Sequence, residues 1–117
     1  MVRRVNTLIQ AKNMKPTQAL RAFIQEQANK LQRLGLPIQR VRVYLENIGR
    51  KDSDPHRASV KMEANIPGKG KVTVKSQTHD LYLAINEAVR DLMRHVRKVK
   101  EKRIDVSRKK RRQEKNS

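Results

Sequence analysis

The side chains that most often carry chemistry are few in this sequence and lie far apart. Its three histidines are His56 in a polar stretch, His79 just ahead of a helical pattern and His95 within that pattern. No two of them have the spacing that closes on a zinc ion. Cysteine is absent, which removes thiol nucleophiles and disulfides and is compatible with the cytoplasm. Gly68 and Gly70 belong to a Pro-Gly-Lys-Gly run that suits a hairpin turn better than a phosphate cradle, and no Walker signature occurs. Asp80 stands where a helix begins and is read as its cap, not as a catalytic acid. The expectation is a protein with no catalytic residues, no metal and no cofactor: a binding protein, not an enzyme.

What is abundant is positive charge. Lys and Arg number 29 against 11 Asp and Glu, a formal net charge of +18. A basic tail does not account for it: residues 100–117 hold nine basic and three acidic residues, and residues 1–99 keep a net +12. Self-repulsion on that scale opposes a compact monomer, so a polyanionic partner is implied, nucleic acid first and an anionic membrane second. The membrane reading needs an apolar span of ~20 residues or an amphipathic face left free for lipid, and the sequence offers neither. No signal-peptide apolar region is present. Aromatic residues are limited to Phe23, Tyr44 and Tyr82, few platforms for stacking bases. Arg and Lys on rigid helices instead contact phosphates and shape, which points to structured RNA with a steep salt dependence.

The elements that position these charges follow from apolar periodicity. Residues 4–11 alternate, with Val5, Thr7, Ile9 and Ala11 on one side and Asn6, Leu8 and Gln10 on the other, and predict a first strand. Asn13-Met14-Lys15-Pro16 makes a turn and Thr17 an N-cap. Leu20, Phe23, Ile24, Ala28, Leu31 and Leu34 form one stripe on a helix over 18–34, which Gly35 ends and Pro37 keeps from resuming. Val41, Val43 and Leu45 alternate with Arg40, Arg42 and Tyr44 in a second strand, and a polar loop runs from Asn47 to Pro55. Ala58, Val60, Met62, Ala64 and Ile66 alternate without a break, and the turn at residues 67–70 joins that strand to another over Lys71–Gln77. A second helix begins near Asp80, with Leu81, Ile85, Ala88, Val89, Leu92, Val96 and Val99 on its buried stripe. The order β-α-β-β-β-α predicts an α+β two-layer domain: a four-stranded sheet with both helices packed on one face. Residues 1–102 make that domain, and 103–117 a basic tail, disordered in isolation.

On the second helix, counting about 100° per residue from Leu81 sets the apolar residues within roughly 60° of Leu92 and Arg90, Arg94 and Arg97 near the opposite pole, at about 160–220°. Lys98 lies at one flank and Lys100 near the other edge; Glu87 and Asp91 offset only part of this charge. On the first helix Arg33 faces away from the stripe, and Arg21 and Lys30 flank it. Side by side on the sheet, the two helices would present one basic outer face, which a merely solvated surface does not require. Tyr82, at the margin of its stripe, could stack on a base, and is expected rather to pack beside the sheet.

Two stretches carry a family resemblance. Lys12-Asn-Met-Lys-Pro-Thr-Gln-Ala-Leu-Arg21 with Lys30-Leu31, and more strongly Asp80-Leu-Tyr-Leu-Ala-Ile-Asn86, resemble the first helix and the last helix start of the ribosome hibernation-promoting factor family. That family includes the ribosome-associated inhibitor long labelled a sigma-54 modulation protein. The resemblance covers roughly residues 5–102. It implies a short hibernation factor that binds the decoding region of the small subunit, touching 16S rRNA in 30S and 70S particles. It also implies competition with mRNA and with A- and P-site tRNA, silencing translation in stationary phase or stress. By position, Arg21, Lys30, Arg94 and Lys98 match basic family positions; Asp91 stands where close relatives often have Lys, and Arg90 is then expected to supply that charge. The expected RNA-binding set is Arg21, Lys30, Arg33, Arg90, Arg94, Arg97, Lys98 and Lys100, on a cytoplasmic protein that is a monomer when free. The tail, with Arg108–Arg112, is expected either to follow RNA or only to solubilise the chain. The rival readings are a structured-RNA binder of the double-stranded-RNA-binding type and a protein-binding transcription modulator.

Overall fold

In the computed structural model, the described residues are 5–35, 38, 40–48, 57–66, 68 and 70–115, with side chains to Val99. Pro37, most of the loop expected between Asn47 and Pro55, His56, Pro67 and Lys69 lie outside them. The elements are β1 (Asn6–Lys12), α1 (Gln18–Asn29), a 3-10 helix (Lys30–Leu34), β2 (Arg40–Asn47), β3 (Ala58–Ile66), β4 (Gly70–Thr78) and α2 (Leu81–Lys115). The four strands form one sheet in the order β1-β2-β3-β4. β1 and β2 are parallel, and the α1 connection makes that pairing possible, since parallel neighbours need a crossover. The β2-β3 and β3-β4 pairs are antiparallel. The expected β-α-β-β-β-α two-layer architecture is the one observed.

Alternation decides which side of each strand is covered. Val41, Val43 and Leu45 of β2, Val60, Met62, Ala64 and Ile66 of β3, and Val74 of β4 are buried beneath the helices. They meet Leu20, Ile24 and Ala28 of α1, Leu31 and Leu34 of the 3-10 helix, and Ala84, Ile85, Ala88, Val89, Leu92 and Val96 of α2 in one core. α1 packs against β1, and α2 against β3 and β4. Both helices therefore lie on the same side of the sheet.

The helix ends follow from local chemistry. The Thr17 hydroxyl accepts a hydrogen bond from the Leu20 amide at 3.1 Å, the N-cap expected of it. Asp80 caps α2 in the same way, its carboxylate accepting from the Tyr82 amide at 3.2 Å. The helix expected over 18–34 tightens at Lys30 into a 3-10 turn, which stacks Leu31 and Leu34 three residues apart on one side. Gly35 ends it at φ 72°, the left-handed conformation that favours glycine. The apolar stripe of α2 ends near residue 100, and the helical backbone continues to Lys115.

Candidate nucleic-acid interface

The roll of α2 is set by its core residues, and that roll fixes where the cations go. With Ala84, Ile85, Ala88, Val89, Leu92 and Val96 buried, Arg90, Arg94, Arg97 and Lys98 are exposed on the outside. The two carboxylates of this stretch behave differently. Glu87 is half-buried and accepts a 2.7 Å hydrogen bond from Ser76 of β4, so its carboxylate ties the helix to the sheet. Asp91 stays at the surface and holds the Arg94 guanidinium at 3.1 Å. Arg94 is thereby partly neutralised, while no carboxylate among the described residues pairs with Arg90, Arg97 or Lys98.

α1 is fixed against β1 by polar contacts at the sheet edge. The Gln25 amide donates to the Val5 carbonyl at 2.6 Å and to the Asn29 side-chain oxygen at 2.9 Å. The Thr7 hydroxyl donates to Gln25 at 2.8 Å. This lock sets the roll of α1 and leaves Arg21 and Arg33 exposed; Lys30, in the tighter 3-10 turn, is half-buried. The Lys100 side chain lies outside the described residues.

The two helices start side by side. Lys15, Thr17, Leu20, His79, Asp80 and Tyr82 line one cavity of about 400 Å³ there, together with Asn47 and Arg57. Just below it the Phe23 and Tyr82 rings meet edge to face, 5.0 Å between centroids. Tyr82 thus meets α1 across the helix-helix seam while lining the cavity with Asn47 and Ala58 at the strand ends, and its ring remains 40% exposed. The 3-10 helix also touches α2. At about 1.5 Å of rise per residue from that shared start, Lys30 and Arg33 come roughly level with the Arg90–Arg94 turn. The geometry thus offers a firm, largely unpaired row of cations with its aromatic rings turned into the seam, suited to phosphates more than to bases.

Sequence reasoning singled out neither the Asp91–Arg94 pair nor a second group of cations on the far side of the sheet, namely Arg40, Arg42, Lys61, Lys71 and Lys75. Their signal was present: they occupy the polar phase of the strand alternation.

Comparisons with known proteins agree with this architecture. The model of one family, described as sigma 54 modulation protein / S30EA ribosomal protein, matches residues 7–104. Among solved structures, the N-terminal domain of Protein Y from Thermus thermophilus is similar with a TM-score of 0.67 and 28% identity, over 82% of this chain and 98% of that one. A ribosomal subunit interface protein from Coxiella burnetii shares the fold at a TM-score of 0.66 and 14% identity, over 83% of this chain and 99% of that one. Comparison with curated protein sequences gives no match.

Proposed function

Because the chain belongs to the sigma-54 modulation protein / S30EA ribosomal protein family, we propose that it is a ribosome-associated regulator of translation that acts by occupying the small subunit. In this reading the outer face of α1, the 3-10 helix and α2 docks on 16S rRNA at the decoding region of 30S and 70S particles. There it takes the path of mRNA and of A- and P-site tRNA, and translation stops while the ribosome is preserved, as stationary phase or stress demands. The observation that supports it best is the row Arg90, Arg94, Arg97 and Lys98, exposed on a helix whose roll is locked by a buried stripe. A row in which only Arg94 has an internal carboxylate partner among the described residues finds its main electrostatic partner outside the molecule. Arg21, Lys30 and Arg33 extend the row across the seam, and Lys100 prolongs it. The protein acts as a cytoplasmic monomer and performs no chemistry; no described helix is long and apolar enough to cross a membrane. The tail from residue 103, whose backbone is helical to Lys115, follows RNA on the particle.

Co-sedimentation with purified 30S, 50S and 70S particles, with and without tRNA and mRNA, tests this reading. Binding to 30S and 70S, displacement by tRNA and mRNA, and release in high salt are expected. Binding to 50S alone, or indifference to tRNA, rejects it. Resistance to salt washing would instead mark a permanent subunit component. Deleting residues 104–117 should flatten the salt dependence of 30S affinity, and an unchanged slope removes the tail from the interface.

A further inference from the structure

The far side of the sheet carries a second charged surface. Strand alternation turns Arg40, Arg42 and Tyr44 of β2, Lys61 of β3, and Lys71 and Lys75 of β4 away from the helices. All are exposed except Tyr44, which is half-buried. Among the described residues two carboxylates accompany them. Glu63 pairs with Lys61 at 3.4 Å and Lys71 at 3.8 Å, and Glu46 with Lys12 at 3.8 Å. Among the described residues no carboxylate pairs with Arg40, Arg42 or Lys75. Lys61 lies directly across from Lys75 in the ladder, a like-charge placement that costs the sheet stability. Edge lysines protect sheets from aggregation, which accounts for Lys71 and Lys75 on the edge strand β4. It does not account for Arg40 and Arg42, which sit on the internal strand β2.

We infer that this open face holds a short single-stranded segment of RNA. Its phosphates lie on Arg40, Arg42 and Lys75, and one base stacks on Tyr44. Three features favour that occupant over an RNA duplex or an acidic protein. The surface is a sheet with strands about 4.8 Å apart, without the ridge that a duplex groove accepts. Tyr44 lies at its centre, already holding the Lys61 ammonium 5.5 Å from the ring centroid, so the ring face is open to a flat partner once that flexible side chain swings aside. Glu63 and Asn65 stand with Arg40, Arg42 and Lys71 around a depression of about 260 Å³, supplying an acceptor and an amide that base edges use and phosphates do not. With one aromatic ring the contact is brief and tolerant of sequence. Since this face and the helix face are on opposite sides of the sheet, the protein can hold two RNA segments at once.

The test uses the full chain and a fluorescent twelve-nucleotide oligouridine, with affinity read by anisotropy across salt. The combined variant Arg40→Gln, Arg42→Gln, Lys75→Gln should bind about tenfold more weakly and lower the salt slope by about 2. Tyr44→Leu should weaken binding about fivefold or more with the slope unchanged, and Tyr44→Phe should restore it. The charge-keeping set Arg40→Lys, Arg42→Lys, Lys75→Arg separates lost charge from a disturbed sheet: retained affinity supports the inference, and an equal loss overturns it. The inference is also overturned if Arg90→Gln, Arg94→Gln, Arg97→Gln weakens oligouridine as much as the sheet variant does. Polyglutamate of matched length binding as tightly as RNA would mark a dock for acidic proteins instead. Because no ribosome enters this assay, its failure is distinct from failure of the proposed ribosome function.

Discussion

The two layers of the molecule expose cations in different ways. On the helices, the nearest carboxylates are drawn off, Glu87 to Ser76 in the sheet and Asp91 to the single residue Arg94, which leaves Arg90, Arg97 and Lys98 unpaired on a rigid ridge. On the sheet, Glu63 sits among the lysines and partly neutralises two of them, beside the half-buried ring of Tyr44. A ridge of free charge contacts phosphates strongly and without regard to sequence. A tempered, flat face with one ring suits weaker contact with unpaired nucleotides. Two basic surfaces in one small domain therefore differ in what they are suited to hold, and the difference comes from where a few carboxylates point.

The most disruptive change should erase both surfaces together, because they share one core. Leu92 is fully buried between α2 and the sheet, and Leu92→Ala should cost about 2–5 kcal/mol of stability, read by urea unfolding. Near the unfolding midpoint, affinity for 30S particles and for oligouridine should fall in parallel; a loss confined to one target would show that the layers are not coupled. Next in size, Arg90→Gln, Arg94→Gln, Arg97→Gln should lower 30S affinity about hundredfold near 0.1 M salt and reduce the salt slope by about 2–3. Circular dichroism should not change, since these side chains lie outside the core. If 30S binding survives with its slope intact, the helix layer is not the ribosome-facing one.

Much of this arrangement is legible in the sequence, for physical reasons that also mark the limit. The alternation of Ala58–Ile66 and the stripe of α2 are periodic because one face of each is buried, so strands, helices and core follow directly. The exposure of Arg90, Arg94 and Arg97 follows as the opposite phase of the same stripe. Contacts set by tertiary packing are not legible. Tyr82 meets Phe23 because two helices happen to start together, and no spacing within α2 encodes that. Glu87 and Asp91 look equivalent in the sequence; only the position of β4 shows that one of them is occupied by Ser76. The sheet cations stand in plain alternation on the face that the expected architecture leaves uncovered, but which of them have carboxylate partners depends on the register that sets Glu63 beside Lys61 and Lys71, and no spacing encodes that.

Smaller changes to the carboxylates test the contrast most directly. Asp91→Asn removes the partner of Arg94 and should raise 30S affinity about threefold, with little effect on oligouridine. The exposed pair contributes only about 0–1 kcal/mol to stability, so melting should hardly move. Glu63→Gln is the counterpart on the sheet. It releases Lys61 and Lys71 from their ion pairs and should strengthen oligouridine binding about twofold and steepen its salt slope, while 30S affinity stays nearly constant. If Glu63 instead serves mainly as an acceptor for a base, the same substitution weakens binding without changing the slope. The sign of that one effect therefore says whether the acid tempers the sheet face or helps to read what lies on it.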